Sequence, residues 1–372
     1  MHIGVFRDYK IQRLTFAYNN GSYSIYGDTI QFGSILKNEF IEVSKNTNGK
    51  VLLKKGAVEL GSFTKIFITQ NYINTSITLT SKSPIVKERK YKDDFEVTAT
   101  IDGLDIINFV DLNNYLAGVV ESEGGPGREL EYYKVQALMS RTYALKYKNR
   151  HIKEGFDLCD RVHCQAYHHM LKYTPIIDSA VQQTKGIVMT DKEGELLEPY
   201  FHANCGGQTS EAEMVWNKAV PYLNSFKDTF CIYTKQATWE KRISQYTWQK
   251  FLINKYNYPI TDSLYGALIF TFNQSQRLAF YQNPILGIPL RDIREEFSLK
   301  STYFSCYPDG ADVLIRGKGF GHGVGLCQEG AMKMSKYGYN YLQIAQYYFP
   351  NAFLKNINTE SFFKQKAKEV DY

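Results

Sequence analysis

Five groups of residues in this chain have the types and spacing to do chemistry. The first is Glu123, which ends the mostly apolar run from Leu116 and precedes Gly124-Gly125-Pro126-Gly127. A carboxylate so placed is partly desolvated, which raises its pKa and suits a general acid. A solvated glutamate at a helix end is the plain alternative. The second is Arg141, which follows the run Ala137-Leu138-Met139-Ser140. A guanidinium beside such a face calls for a fixed carboxylate or a ligand, and a structural ion pair would serve equally. The third is Cys159, His163 and Cys164, which lie within six residues and can ligate zinc. His151, His168, His169 or His202 can complete the set; a Cys159–Cys164 disulfide or free thiols are the alternatives. Cys205, Cys231, Cys306 and Cys327 show no spacing pattern. The fourth is Tyr200 and His202, on a strand-like segment that runs into Gly206-Gly207. The fifth is the stretch from Gly317 to Ala331, with six glycines around His322 and Gln328. That glycine density fits neither helix nor strand and implies positive φ angles or close backbone approach. It reads as a backbone-walled groove with His322 on its floor, or as a tight strand-to-helix loop with a structural histidine.

The elements that must hold these groups change character along the chain. Residues 2–110 read as strand after strand, rich in β-branched and aromatic residues, with turns at Asn19-Asn20-Gly21, Asn48-Gly49-Lys50 and Asp102-Gly103. From Asp111 the pattern turns helical. The spacing predicts a helix over 129–148, with Leu130, Tyr133, Ala137, Leu138, Ala144 and Leu145 on one face. A shorter helix is expected over 176–184, strands over 186–190 and near 199–202, and a strand over 312–316 leading into the glycine loop. Helices are expected over 329–336 and 341–348. The expected fold class is α+β: a β-rich N-terminal module, 1–110, packed on a mixed α/β catalytic core, 111–355, with a central substrate groove. Residues 240–315 are less legible and are expected to be a β-rich insertion; 356–372 form a charged tail.

Composition narrows the partners. The net charge of +6 is scattered, with no basic stripe interleaved with aromatics, so nucleic acid is not expected. Aromatics make up 15% of the chain, which serves packing of β-layers and can also serve binding of a carbohydrate polymer. No apolar run approaches the roughly 20 residues of a membrane span.

Taken together, the ordered motifs over 112–350 resemble the stage II sporulation protein D and amidase-enhancer family. They are Tyr115 to Val120, Glu123, Ser140-Arg141-Thr142-Tyr143, Cys159 to Gln165, Phe201 to Gly207, and Gly321 to Gly325 followed by Gln328. The resemblance implies a peptidoglycan lytic transglycosylase that cleaves the β-1,4 bond between N-acetylmuramic acid and N-acetylglucosamine and leaves a 1,6-anhydro end. It places the catalytic glutamate on Glu123 and the helix arginine on Arg141. Tyr200, His202, His322 and Gln328 would bind sugar. No cofactor is required for the chemistry, and zinc at Cys159, His163 and Cys164 is implied only by some members. Glycan strands are the implied partner, with a cell-wall amidase as a further one, and the protein would act outside the cytoplasmic membrane, exported or tethered, with its targeting segment absent from this chain. The alternative within the family is a non-catalytic wall-binding enhancer of an amidase. A zinc hydrolase centred on Cys159 and His163 is a further rival, against which stands the absence of a zincin-like glutamate.

Three departures from the family pattern bear on the site. Met-Pro after the glutamate is replaced by Gly124-Gly125-Pro126, expected to loosen the backbone there. Cys327 stands where a serine is common, and Asn204-Cys205 stand where a serine pair precedes Gly-Gly.

Overall fold

A computed structural model of the chain describes residues 1–358. The chain divides into two compact units: Met1–Thr190 with Leu196–Glu198 and the chain from Leu354, and Asp191–Glu195 with Pro199–Phe353. Helices and several sheets are both present, as the α+β class requires. No described helix is long and apolar enough to cross a membrane.

The first unit contains two large β-sheets, besides the short pairing of Ile187–Thr190 with Phe353–Asn356. One runs Leu158–Cys159, His2–Val5, Leu104–Phe109, Asp94–Ala99, Lys65–Gln70, Tyr23–Gly27, Ile30–Ile35. The other runs Arg89–Lys92, Ser76–Ser83, Arg13–Asn20, Phe40–Lys45, Val51–Lys55, Val58–Phe63. Alternation along these strands sends Leu14, Phe16, Ile41, Val43, Ile66, Ile68, Phe95 and Val97 inward, all buried. Phe16 of one sheet meets Phe95 of the other edge-on, with ring centroids 5.5 Å apart.

Among the described residues of this unit are the α-helices α1 (Leu112–Gly124), α2 (Leu130–Lys146) and α3 (Ile176–Gln183). Asp111 caps α1 by accepting from the amides of Asn113 and Asn114. The expected amphipathic face of α2 is not what forms. Both Tyr132 and Tyr133, and every residue from Val135 to Ala144, are buried, because α1, α3 and the strand Ile187–Thr190 pack around the helix. The sequence-based boundary at residue 110 also differs from the partition. The edge strand Leu158–Cys159 pairs in parallel with His2–Val5, Ile3 opposite Leu158, and so ties the helical segment to the β-sheet.

In the second unit, residues 238–318 carry a core of their own, with Trp239, Trp248, Phe272, Tyr281, Phe304 and Ile315 buried in it. This region is mixed rather than β-rich. An antiparallel sheet of Thr238–Ser244, Asp312–Lys318 and Phe304–Asp309 packs with the helices Gln245–Tyr256 and Leu290–Glu296. The expected helices near the end appear at Gln328–Lys336 and Tyr341–Tyr348. Of the expected charged tail 356–372, everything beyond 358 lies outside the described residues.

Candidate functional site

In the first unit, Glu123 is the penultimate residue of α1, half-buried, with its Oε1 accepting the backbone N–H of Ala166 at 2.8 Å. Burial raises its pKa, and the Ala166 bond offsets only part of that. The negative end of the helix dipole acts in the same direction. Two residues earlier, Glu121 takes a different role. Its two oxygens accept the amides of Lys172 and Tyr173, each at 2.8 Å, so it braces the chain that passes over α1. Gly118 makes that passage possible. A Cβ there would lie 2.3 Å from the carbonyl oxygen of His169 and 2.6 Å from the Tyr167 ring.

The backbone beside Glu123 is tied down rather than loosened. Tyr133 donates its hydroxyl to the carbonyl of Gly125 at 2.8 Å and accepts the amide of Arg128 at 3.1 Å. The glycines at 125 and 127, with φ of 65° and 71°, make the turn while the tyrosine holds both sides of it.

Arg141 is fully buried and, among the described residues, forms no ion pair with a carboxylate. Its guanidinium donates to the Thr184 hydroxyl and to the carbonyls of Ile187 and Val181, at 3.2–3.3 Å. These bonds hold α3 and the following strand against α2, and lack of solvent lowers the Arg141 pKa to about 10. Tyr143, two residues on, donates to the carbonyl of His163 at 3.3 Å, so α2 also positions the cysteine-histidine segment.

That segment closes into a compact donor set. Cys159, His163 and Cys164 come together with His151, their ligand atoms all within 4.8 Å of one another. His151 thus completes the set; His168 and His169 instead line a separate cavity of about 550 Å³ with Tyr9, Arg89 and Tyr173. His151 Nε2 lies 3.4 Å from Cys164 Sγ, and His163 Nδ1 lies 3.7 Å from both sulfurs. A tetrahedral zinc ion with ordinary bond lengths places sulfur and nitrogen about 3.6 Å apart. The free ring nitrogen of His151 meets Glu154 Oε1 at 2.5 Å, the carboxylate partner that zinc-binding imidazoles commonly have. All six cysteines are free, so no Cys159–Cys164 disulfide forms. Asp160, inside the same motif, accepts the amides of Phe6 and Arg7 and pairs with Arg89 at 2.6 Å, which fixes the segment to the β-sheets.

In the second unit, Tyr200, His202 and His322 converge as the sequence leads one to expect. His202 and His322 have ring centroids 5.5 Å apart, and Tyr200 lies 6.2 Å from His322. The strand Phe201–His202 pairs in parallel with Leu326–Cys327. Gln328 follows Cys327 directly and begins the next helix. The glycine loop alternates: Gly319, Gly321, Gly323 and Gly325 have φ of 74°, 104°, 84° and 72°. At Gly325 a Cβ would sit 2.2 Å from the Tyr200 carbonyl oxygen, so the loop lies directly on the strand that carries His202. His202 is buried, and burial together with nearby His322 and Arg277 holds its pKa well below the usual histidine range. Burial and the field of Arg294 push His322 down to about 4. Both rings are therefore neutral at pH 7.

Trp216 was not singled out from sequence. Its ring lies 4.5 Å from Tyr200 and 5.1 Å from His322. It is 41% exposed, whereas Trp239 and Trp248 are core residues. A tryptophan followed by Asn217 in the left-handed conformation, φ 54°, ends the four-residue helix Glu213–Trp216, a segment with no periodicity to flag it.

The comparisons with known proteins agree with these motifs. Residues 100–190 match the sequence model of the family described as Stage II sporulation protein, a stretch that contains Glu123, Arg141 and the cysteine-histidine segment. An uncharacterized protein of Brachyspira hyodysenteriae is 30% identical over 253 residues, 67% of this chain and 67% of that protein. Stage II sporulation protein D of Bacillus amyloliquefaciens is 27% identical over 260 residues, 64% of this chain and 73% of its own. The Amidase enhancer of Bacillus subtilis is 26% identical over 289 residues, 64% of this chain and 40% of its own. The chain belongs to the stage II sporulation protein D and amidase-enhancer family.

Proposed function

We propose that this protein acts on the bacterial cell wall, outside the cytoplasmic membrane, as a peptidoglycan lytic transglycosylase. The observation that carries the reading is the contrast between the two acids of α1. Glu121 is committed to two backbone amides, while Glu123 is half-buried with a raised pKa at the helix end. A single carboxyl group suffices for this reaction because the nucleophile belongs to the substrate. Glu123, protonated, donates to the glycosidic oxygen as the C1–O bond breaks. The resulting carboxylate takes the proton of the muramic acid 6-hydroxyl as O6 bonds to C1. No water is consumed, and the carboxyl is restored to its starting state. In the second unit, taken by itself, Tyr200 and Trp216 offer faces for stacking on sugar rings, and the neutral rings of His202 and His322, with Gln328, offer hydrogen bonds to hydroxyl and acetamido groups. Arg141 is a positioning residue, and His151, Cys159, His163 and Cys164 are a structural zinc set with no role in the proton transfers.

The test is digestion of purified glycan strands, peptide-free and intact, followed by mass analysis. Reducing ends in the 1,6-anhydro form support the reading; ordinary hydrolysed ends contradict it. The aromatic and imidazole cluster alone also fits a wall-binding enhancer of an amidase, the function named in the Bacillus subtilis relative. Glycan binding with no cleavage, together with stimulation of an added amidase, would establish that alternative.

A further inference from the structure

Three cysteines without any pattern in the sequence, Cys205, Cys231 and Cys327, come together in the second unit around Asp228. Their sulfurs and a carboxylate oxygen all lie within 4.8 Å of one another, and all four residues are fully buried. They arrive from three segments. Cys205 opens the Gly206-Gly207 turn after the His202 strand, Asp228 and Cys231 share one loop, and Cys327 is the N-cap of the helix Gln328–Lys336. Cys205 Sγ is 3.2 Å from Cys231 Sγ and 3.3 Å from Asp228 Oδ2.

The charges around this cluster call for a cation inside it. Asp228 is wholly removed from solvent, and its hydrogen bonds come from the Tyr348 hydroxyl at 2.8 Å, the Phe230 amide at 2.9 Å and the Cys205 thiol. Among the described residues no lysine, arginine or histidine forms an ion pair with it, and a buried carboxylate without a positive partner is costly. Cys327 Sγ accepts two backbone amides, from Cys205 at 3.3 Å and Gly330 at 3.4 Å. Amides at a helix N-terminus aimed at sulfur complement the charge of a metal-bound thiolate. Arg277 is buried nearby, with its guanidinium on the carbonyl of Cys205 at 2.8 Å and that of Gln208 at 2.7 Å. Its charge offsets part of the excess negative charge that three thiolates and a carboxylate leave on a divalent ion.

We propose that Cys205, Asp228, Cys231 and Cys327 form a second, structural metal site for a thiophilic divalent cation of the zinc class. Thiolates select such an ion over magnesium or calcium, and four protein donors with no solvent access make a closed site rather than a catalytic one. On binding, the metal displaces the three thiol protons to solvent and accepts a lone pair from Asp228; nothing is oxidised or reduced. The ion would fasten the turn that begins at Cys205 to the helix that begins at Gln328. His202 and Cys327 are partners in the parallel strand pair, so the staple would also fix the wall that carries His202 and His322. The site stands independently of the transglycosylase reading, because metal content is measured without substrate.

The experiment is zinc analysis of the purified full-length chain after exhaustive dialysis, with the sulfur count from X-ray absorption at the zinc edge. The expected result is two zinc ions per chain, with an average of about 2.5 sulfur neighbours, the mean of a two-sulfur and a three-sulfur donor set. C231S is expected to retain one zinc, and C164S to retain one that is richer in sulfur. Cobalt loaded into C164S should then show thiolate-to-metal charge-transfer absorption. One zinc in the wild type that disappears in C164S would overturn the proposal. So would an intact mass two hydrogens lighter, with a Cys205–Cys231 disulfide in the isolated protein. If C231S fails to fold, the wild-type zinc and sulfur counts decide the matter alone.

Discussion

Glu123 in the first unit and His322 in the second are both polar side chains partly removed from water, yet burial has opposite chemical results. Burial raises the Glu123 carboxyl and so keeps a proton on it to higher pH than an ordinary carboxyl holds one. Burial lowers the His322 imidazole to about 4 and so keeps a proton off it. Loss of solvent disfavours the charged form in each case. The lesson is that one physical effect produces a proton donor from an acid and an uncharged hydrogen-bonding surface from a base. In the proposed reading, that effect suits Glu123 to proton transfer and, separately, suits the His322 cluster to contact with a neutral sugar.

The most severe way to break this comparison is the substitution Glu123→Gln. It should lower anhydro-sugar release by about 10³-fold, within the usual range for loss of a general acid-base group, with glycan binding retained. A parallel loss of binding would place Glu123 in the grip instead. Next in size is the cysteine-histidine set of the first unit. If it holds zinc, chelation or C164S should lower the melting temperature by about 10 °C, since metal binding energy is folding energy. Unchanged melting after complete chelation would contradict that assignment. Arg141→Lys should cost about 2 kcal/mol of stability, because the planar fork that serves two carbonyls and a hydroxyl is lost from a buried place. Activity per folded molecule should stay near wild type. An unchanged melting curve with lost turnover would instead make Arg141 a direct participant, as the family resemblance implies.

Trp216→Ala should weaken glycan binding by about 5-fold, the scale of one aromatic contact, with turnover at saturating substrate nearly unchanged. The smallest effect lies in the pH profile. A general acid must be protonated, so with its pKa raised, activity should persist above the ordinary carboxylate range and fall as pH rises through the Glu123 value. Glycan binding should stay level across that fall and weaken only as pH drops through about 4, where His322 takes a proton. Coincident loss of binding and turnover at one pH would merge the two roles that the comparison separates.

Much of this was legible in the sequence where a local rule governs. Strand alternation gave the β-rich start, and the helix expected over 341–348 forms at Tyr341–Tyr348, where the structure shows Asn340 capping it and Gln343 completing a capping box. The glycine loop was readable because four glycines at every second position must serve left-handed backbone. What escaped depends on distant partners. The α2 helix looked one-sided, yet Gln136, Ser140, Arg141 and Thr142 are buried, and partners from residues 181 to 189 accept from Arg141 and donate to Thr142. His151 is one of four histidines that the sequence leaves open as the last member of the cysteine-histidine set; it stands eight residues before Cys159, and the turn at 152–155 brings it back. Asp228 and three scattered cysteines carry no local signal at all.

The central claim is that one carboxyl group, Glu123, drives cleavage with the sugar's own 6-hydroxyl as nucleophile, and digestion of peptide-free glycan strands in oxygen-18 water tests it most directly. The account predicts 1,6-anhydro ends that carry no heavy oxygen, formed by the wild type and absent with Glu123→Gln. Heavy oxygen at the new reducing ends, or anhydro ends released undiminished by the Gln variant, would contradict it.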